Sequence, residues 1–148
     1  MKASTAVHAK AMHQVMKYCF STPKRGWKLK PNRTWNRKKG FLFRIQGKSD
    51  SGYATCLVTR KSLSEYGVFL EGAPITVKIL MQRIIALSVT EAETISGVAC
   101  EQEMIYAIKI LLSLGLLVEL PMILEINNKG AVDMANNRFS SWYWFREN

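Results

Sequence analysis

Three polar residues stand where a binding or catalytic site could form: Asp50, Glu93 and Asn127. Asp50 follows the first predicted strand, Glu93 lies in the first turn of a long predicted helix, and Asn127 ends a later strand just before another helix. Ligands of open α/β sheets usually bind outside strand ends of this kind. Mg²⁺ prefers carboxylate oxygens and water, so Asp50 and Glu93 are predicted to hold magnesium if they meet there. The alternative is a structural role, because acidic residues in a first helical turn stabilise the helix dipole.

A second candidate site is the basic segment between the first predicted helix and the first strand. It interleaves cations with Trp27 and Trp35, a combination that can contact phosphates and stack on bases. The alternative is a connector whose tryptophans pack on the domain while its cations stay hydrated. The residues predicted to bind nucleic acid are Lys24, Arg25, Arg37, Lys38 and Lys39.

The charge of the chain is distributed unevenly. Residues 1–61 contain 15 Lys and Arg and one acid, Asp50, whereas residues 62–148 contain six Lys and Arg and ten acids. The formal net charge of +10 therefore combines halves of +14 and −4. An asymmetry of this kind favours contact with nucleic acid. A basic face that is only hydrated is the alternative.

The composition is that of one globular domain with a sizeable core, because 48% of the 148 residues are hydrophobic. Ordinary glycine and proline contents exclude the collagen-like and low-complexity classes. The most apolar run, Ile110 to Val118, is too short to span a membrane, and no secretory signal is predicted. Three widely spaced cysteines and two histidines exclude a disulfide framework and a His-rich zinc site. We therefore expect a cytoplasmic or nuclear protein with no membrane partner.

The periodicity of the apolar residues predicts an α/β fold. Helices are predicted over residues 4–21, 90–114 and 129–136, and strands over residues 41–46, 66–70, 75–80 and 122–126. The four residues from Glu71 to Pro74 are typical of a hairpin turn. This order of elements predicts an antiparallel meander followed by a β-α-β crossover.

The long helix has clear boundary signals. Ser88 and Glu91 have capping-box spacing at its start, and Gly115 closes it. A break into two helices at Glu101 to Glu103 is left open. The face expected to be buried consists of Ile95, Val98, Ala99, Ile105, Ile108, Leu111, Leu112 and Leu114.

The segments Gly47 to Ser62 and Ala86 to Glu93 resemble, in order, parts of the ribonuclease H domain of Copia-type LTR-retrotransposon polyproteins. Gly47 to Ser62 has the spacing of that family's opening G-Y-S-D-A-D-W-A and T-R-K-S motifs, and Ala86 to Glu93 resembles its A-L-S-S-T-E-A-E signature. The first helix is similar to the segment that joins reverse transcriptase to ribonuclease H. Further likenesses lie at Val68 to Ile75, Leu114 to Leu116 and Asn127 to Val132. The resemblance covers roughly residues 7–137.

This resemblance implies a ribonuclease H-like mixed sheet, made of an antiparallel meander and a β-α-β crossover and flanked by helices. It divides the chain into a connecting helix and basic linker at residues 1–39, the ribonuclease H-like domain at residues 40–137, and a divergent, truncated tail at residues 138–148. The partners that it implies are an RNA–DNA hybrid or other nucleic acid, and the remainder of a retroelement polyprotein.

The family cleaves the RNA strand of RNA–DNA hybrids, with four carboxylates around two Mg²⁺ ions about 4 Å apart. Asp50 matches the first carboxylate and Glu93 the second, whereas Asn127 replaces the third and no residue matches the fourth. Glu125, two residues before Asn127 on the same strand face, is a poor substitute. The resemblance therefore implies an endonuclease that is inactive as written. The alternatives are a non-catalytic nucleic-acid-binding module and a genomic relic without selected function.

Overall fold

The chain folds around a five-stranded mixed sheet with one long helix packed against it. The structure is a computed structural model that describes residues 5–38, 40–138 and 143–147. The helices are α1 (Ala6–Ser21), α2 (Val89–Ser113) and α3 (Lys129–Arg138). The strands are β1 (Leu42–Phe43), β2 (Ile45–Gly52), β3 (Leu63–Leu70), β4 (Ala73–Met81), β5 (Leu117–Val118), β6 (Met122–Ile126) and β7 (Tyr143–Glu147).

The strand order in the main sheet is β4-β3-β2-β6-β7. β2, β3 and β4 form an antiparallel meander, and the connection through α2 returns the chain so that β6 lies parallel to β2. β1 and β5 form a separate parallel pair. The predicted mixed α/β fold is confirmed. The sequence does not predict β5 or β7, and β7 extends the sheet by pairing parallel to β6 within the segment expected to be a divergent tail.

α2 begins and ends where its boundary signals predict, and it is continuous through Glu101 to Glu103. The Ser88 hydroxyl accepts the backbone N–H of Glu91 at 3.1 Å, and the Glu91 carboxylate accepts the N–H of Leu87 at 2.7 Å. Gly115 follows the last turn with φ +71°, the left-handed conformation that favours glycine. The Glu91 carboxylate therefore stabilises the N-terminus of α2, as the capping-box spacing predicts.

The face that α2 buries differs from the predicted one. Leu111 is buried, but Leu114 is 67% exposed. A Cβ added to Gly47 of β2 would meet Met104 Sδ and would lie 2.9 Å from Cys100 Sγ, so the lack of a side chain at Gly47 lets Cys100 and Met104 of α2 pack against β2. The prediction is right for Leu111, and Ala99 and Ile108 pack partly buried against the core, but it followed the largest apolar residues and missed the small and polar residues of the buried face. The buried residues are Ala92, Glu93, Ser96, Gly97, Cys100, Met104 and Leu111.

The β3–β4 hairpin holds the basic linker against the sheet. Its turn residues Glu71 and Gly72 have φ of 52° and 80°, the positive values of a two-residue hairpin turn. The buried Glu71 carboxylate accepts Arg33 Nε at 2.7 Å and Arg33 Nη2 at 2.5 Å. It also accepts the backbone N–H of Arg44 at 2.7 Å. Arg33 therefore joins the linker to a turn 38 positions away in the sequence.

α1 forms over the predicted residues, but none of its residues is buried. Val7 and Phe20, on its apolar stripe, are 74% and 78% exposed. The stripe therefore takes no part in the core that the described residues build around the main sheet. In the described ranges, no helix is long and apolar enough to cross a membrane.

Candidate functional site

The structure brings Asp50 and Glu93 together at the carboxyl end of β2. Asp50 lies on β2, the central strand between β3 and β6, and Glu93 is on the buried face of α2. The Ser96 hydroxyl, one turn further along α2, donates to the Asp50 carbonyl at 2.7 Å. A Cβ added to Gly97 would lie 3.0 Å from Ile126 Cδ1 of β6. The small residues of α2 thus place its glutamate directly over the strand ends.

One backbone donor joins the two carboxylates. The Ser51 N–H donates to Asp50 Oδ1 at 2.8 Å and to Glu93 Oε1 at 3.2 Å. Asp50 is exposed, whereas Glu93 is only 3% exposed. Burial raises the pKa of Glu93 to about 7. The hydrogen bonds from Ser51 lower this pKa, and the nearby Asp50 carboxylate raises it further. Glu93 therefore exchanges its proton near neutral pH.

The second oxygen of Glu93 is an acceptor that the described part of the protein leaves unused. Glu93 Oε2 is buried and has no hydrogen-bond partner among the described residues. A buried acceptor without a partner is costly, and either a proton or a cation would satisfy it. The pair of carboxylates fits one divalent ion, with water or substrate oxygens completing its coordination. Across the described part of the chain, no group of three or more His, Cys, Asp or Glu could hold a metal ion. Two carboxylates carry −2 against the +4 of two divalent ions, so the pair does not fit two ions.

Asn127 lies beside Asp50 in the strand register. Ser49 and Ile126 are the last residues that pair between β2 and β6. Asp50 directly follows Ser49, and Asn127 directly follows Ile126. The Asn127 side chain is exposed, and within the described ranges it hydrogen-bonds to neither carboxylate. The following residue, Asn128, has a structural role, because its Oδ1 accepts the N–H of Ala131 at 2.9 Å in the first turn of α3. Asn127 therefore stands at the edge of the site as an uncharged oxygen donor.

Glu125 is not available to replace a carboxylate. It lies opposite Lys48 in the β2–β6 register, and the Lys48 ammonium contacts its Oε2 at 2.6 Å. The Glu125 charge is thus neutralised on the strand, two residues before Asn127. This agrees with the expectation that Glu125 is a poor substitute.

Among the described cations of the basic linker, Arg33 is the one that forms an ion pair. Arg33 is bound to Glu71, whereas Lys24, Arg25, Arg37 and Lys38 are exposed and form no ion pair with a described residue. Lys39 lies outside the described residues. Neither interpretation of the linker predicts the ion-paired Arg33, and the exposed cations Lys24, Arg25, Arg37 and Lys38 can contact a phosphate backbone.

Sequence reasoning missed Ser51 and Ser96, which fix the geometry of the carboxylates. Ser51 acts through its backbone N–H, a group that every residue except proline carries, so its residue type gives no signal. Ser96 is not among the predicted site residues. Its spacing from Glu93, one helical turn, is the signal that could have indicated a second contact to the same strand.

No family model, curated protein or solved structure matches the chain. The chemistry of the site is inferred from its residues, which are one exposed carboxylate, one buried carboxylate and the exposed amide of Asn127. Such a set can share a proton or hold a divalent cation, and the cations of the linker can contact phosphates.

Proposed function

We propose that the chain is a ribonuclease H-like domain of a Copia-type retroelement polyprotein that binds RNA–DNA hybrids but has lost most or all of its hydrolytic activity. The observation that carries this proposal is the Asp50–Glu93 pair, joined by the Ser51 N–H, with a buried Glu93 oxygen that has no hydrogen-bond partner in the described part of the chain. These are the residues that match the family's first two carboxylates. The remainder of the polyprotein, joined in one chain or not, is the proposed protein partner.

The sheet supports the proposal. The meander of β2, β3 and β4 and the crossover through α2 to β6 are the arrangement that the resemblance implies. In this arrangement Asp50, Glu93 and Asn127 reach the carboxyl ends of two neighbouring parallel strands, where ligands of open α/β sheets bind. Exposed cations in the linker supply charge for a polyanionic substrate.

Loss of activity follows from charge. Two Mg²⁺ ions carry +4, and Asp50 and Glu93 supply −2 when both are ionised. Asn127 offers an oxygen without charge, although Mg²⁺ gains most from charged oxygens. When bound, a single Mg²⁺ would be held by Asp50 and Glu93 and would supply local positive charge for a phosphate. A single weakly held ion does not replace the pair that the family's reaction requires.

Binding of a blunt RNA–DNA hybrid tests the nucleic-acid part of the proposal. We expect weak, sequence-indifferent binding that weakens steeply with salt, because phosphate contacts release counterions. Replacing the linker cations by Ala should make the fall of log K with log salt shallower, by about 4 in slope if all five cations contact phosphates. The measurement is fluorescence anisotropy over a salt series. The variant carries Lys24→Ala, Arg25→Ala, Arg37→Ala, Lys38→Ala and Lys39→Ala.

A matched control removes the same charge elsewhere. Its five cations are exposed and lie outside the linker, and we expect a smaller change of slope. Equal slopes for the two variants, or hybrid binding that does not respond to salt, would refute a binding role for the linker. The control substitutions are Lys10→Ala, Lys17→Ala, Arg83→Ala, Lys109→Ala and Lys129→Ala.

A further inference from the structure

A small cavity lies between the basic linker and the turn that follows α2. Its volume is about 130 Å³, and its lining includes Trp35, Arg37, Lys38, Phe41 and the backbone of Gly115. Neither Asp nor Glu is among the lining residues that the structure describes. The cavity therefore combines aromatic surface with two cations and no opposing negative charge.

The aromatic wall of the cavity is held in place by its neighbours. The Trp35 ring meets the Phe43 ring edge-on at 5.7 Å, and Phe41 meets Phe43 edge-on at 4.8 Å. The Arg33 guanidinium lies over the Phe41 ring at 5.0 Å, and Arg33 is itself fixed by Glu71. Trp35 remains 44% exposed. It therefore presents part of its surface to a ligand without having to become ordered first.

Two glycines leave room beside this wall. A Cβ added to Gly40 or to Gly115 would meet no atom within 4 Å. Their φ values of +91° and +71° are conformations that other residues adopt only with strain. The backbone at both positions is thus open to the cavity, where a ligand can approach it closely.

We propose that this cavity binds one unpaired nucleotide, with its base against Trp35 and its phosphate near Arg37 and Lys38. A cavity of 130 Å³ is far below the roughly 300–1,000 Å³ that encloses a drug-sized ligand, and it suits one planar ring system. Bases stack on aromatic side chains irrespective of sequence, and adjacent cations contact the backbone. A base paired within a duplex cannot enter a concave site, so the nucleotide is unpaired. The inference rests on the proposed function, since it assumes a nucleic-acid ligand.

The cavity is remote from the two carboxylates. Phe43 and Asp50 are seven positions apart along nearly continuous β structure, which corresponds to roughly 20 Å at the rise of an extended strand. The nucleotide bound here therefore belongs to a single-stranded extension of a hybrid and not to the base pair at the carboxylates.

The test compares a blunt RNA–DNA hybrid with the same hybrid carrying a short single-stranded oligoadenylate extension. We expect the extension to tighten binding to the full chain by about fivefold or more, the lower end of what one base–aromatic stack contributes. Trp35→Ala should abolish this gain, and Trp35→Phe should retain part of it. Trp27→Ala is the matched control, because Trp27 lies in the same linker, is 67% exposed and does not line the cavity.

The phosphate contact is tested by a second pair of variants. The double variant Arg37→Ala, Lys38→Ala should reduce the gain from the extension more than the double variant Lys24→Ala, Arg25→Ala, which removes the same charge. This pair also serves if Trp35→Ala fails to fold, as judged by circular dichroism. Free adenosine monophosphate is then added as a competitor. If it removes the gain in affinity from the extension at concentrations near those of the hybrid, the cavity is a site for free mononucleotides and the proposal is overturned.

The outcomes separate this inference from the proposed function. Absence of binding to the blunt hybrid would refute the proposed function, and with it the inference. Binding to the blunt hybrid with no gain from the extension, or with a gain that survives Trp35→Ala, would refute the cavity assignment alone.

Discussion

Replacing Glu93 by Gln should stabilise the chain by about 3 kcal/mol at pH 8 when no divalent cation is present. The ordinary pKa of 4.5 rises to about 7 in the folded state, chiefly because the carboxyl is buried. A difference of this size between the folded and unfolded pKa corresponds to about 3 kcal/mol. Glutamine has a similar shape but no charge, so the penalty for burying an ionised group disappears.

The pH dependence has a definite sign. Between pH 4.5 and about 7 the folded chain keeps the Glu93 proton that the unfolded chain has released, so the folded state binds more protons. The contribution of Glu93 to stability therefore falls as pH rises through this window and is constant above it. The difference between wild type and Glu93→Gln should be near zero at pH 4, grow from pH 5 to 7, and level off by pH 8. Urea unfolding at several pH values measures it.

Asp133→Asn is a suitable control for this series. Asp133 is exposed on α3, and its replacement should change the free energy of unfolding little at any of these pH values. If the free energies of unfolding of Glu93→Gln and wild type differed by the same amount at pH 5 and pH 8, the assignment of a protonated, buried Glu93 would be wrong.

Arg33→Ala should clearly destabilise the fold at neutral pH. Arg33 holds Glu71 with two hydrogen bonds, and Glu71 is 5% exposed. Removing one partner of a buried pair leaves a buried charge without compensation. The expected loss is smaller than for a fully buried pair, because the Arg33 side chain is 36% exposed. Arg33→Lys should fall in between, since a lysine cannot reproduce the two-bond contact.

The pH dependence of this variant is opposite in sign to that of Glu93→Gln. Burial raises the pKa of Glu71, but the hydrogen bonds from Arg33 and from the Arg44 N–H overcome it, so that the pKa is lowered. The stabilisation is therefore present above pH 4.5 and is lost as the carboxylate is protonated at lower pH. The effect of Arg33→Ala should shrink below pH 4. Arg37→Ala, at an exposed arginine of the same linker, should change stability by less than about 0.5 kcal/mol. Similar losses for the two variants would mean that Arg33 does not anchor the linker.

Local signals in the sequence predict the ends of α2 and the β3–β4 turn, but not the first strands, because the predicted strand at residues 41–46 covers β1 and only the first two residues of β2. Ser88, Glu91 and Gly115 mark the ends of α2, and the turn at Glu71 and Gly72 joins β3 to β4. Each of these features is decided by residues within one or two turns of chain. The register that places Asp50 near Glu93 follows from the order of elements and from the resemblance of their surrounding motifs.

Packing and long-range contacts could not be predicted in the same way. The buried face of α2 depends on how closely β2 approaches, and Gly47 sets that distance from outside the helix. The Arg33–Glu71 contact spans 38 positions, and no local pattern indicates which linker cation is used structurally. The burial of Glu93, which determines its pKa, likewise becomes visible only once helix and sheet are assembled.

Cleavage of a labelled RNA–DNA hybrid in the presence of Mg²⁺ or Mn²⁺ tests the central claim most directly. The chain as written should bind the hybrid and leave its RNA strand intact, because two carboxylates are too few for the two ions that the reaction needs. Asn127→Asp alone should restore little cleavage, and recovery should also require a C-terminal extension that supplies the missing carboxylate. Robust cleavage by the unaltered chain that disappears in Asp50→Asn would contradict this account and show that Asp50 and Glu93 suffice.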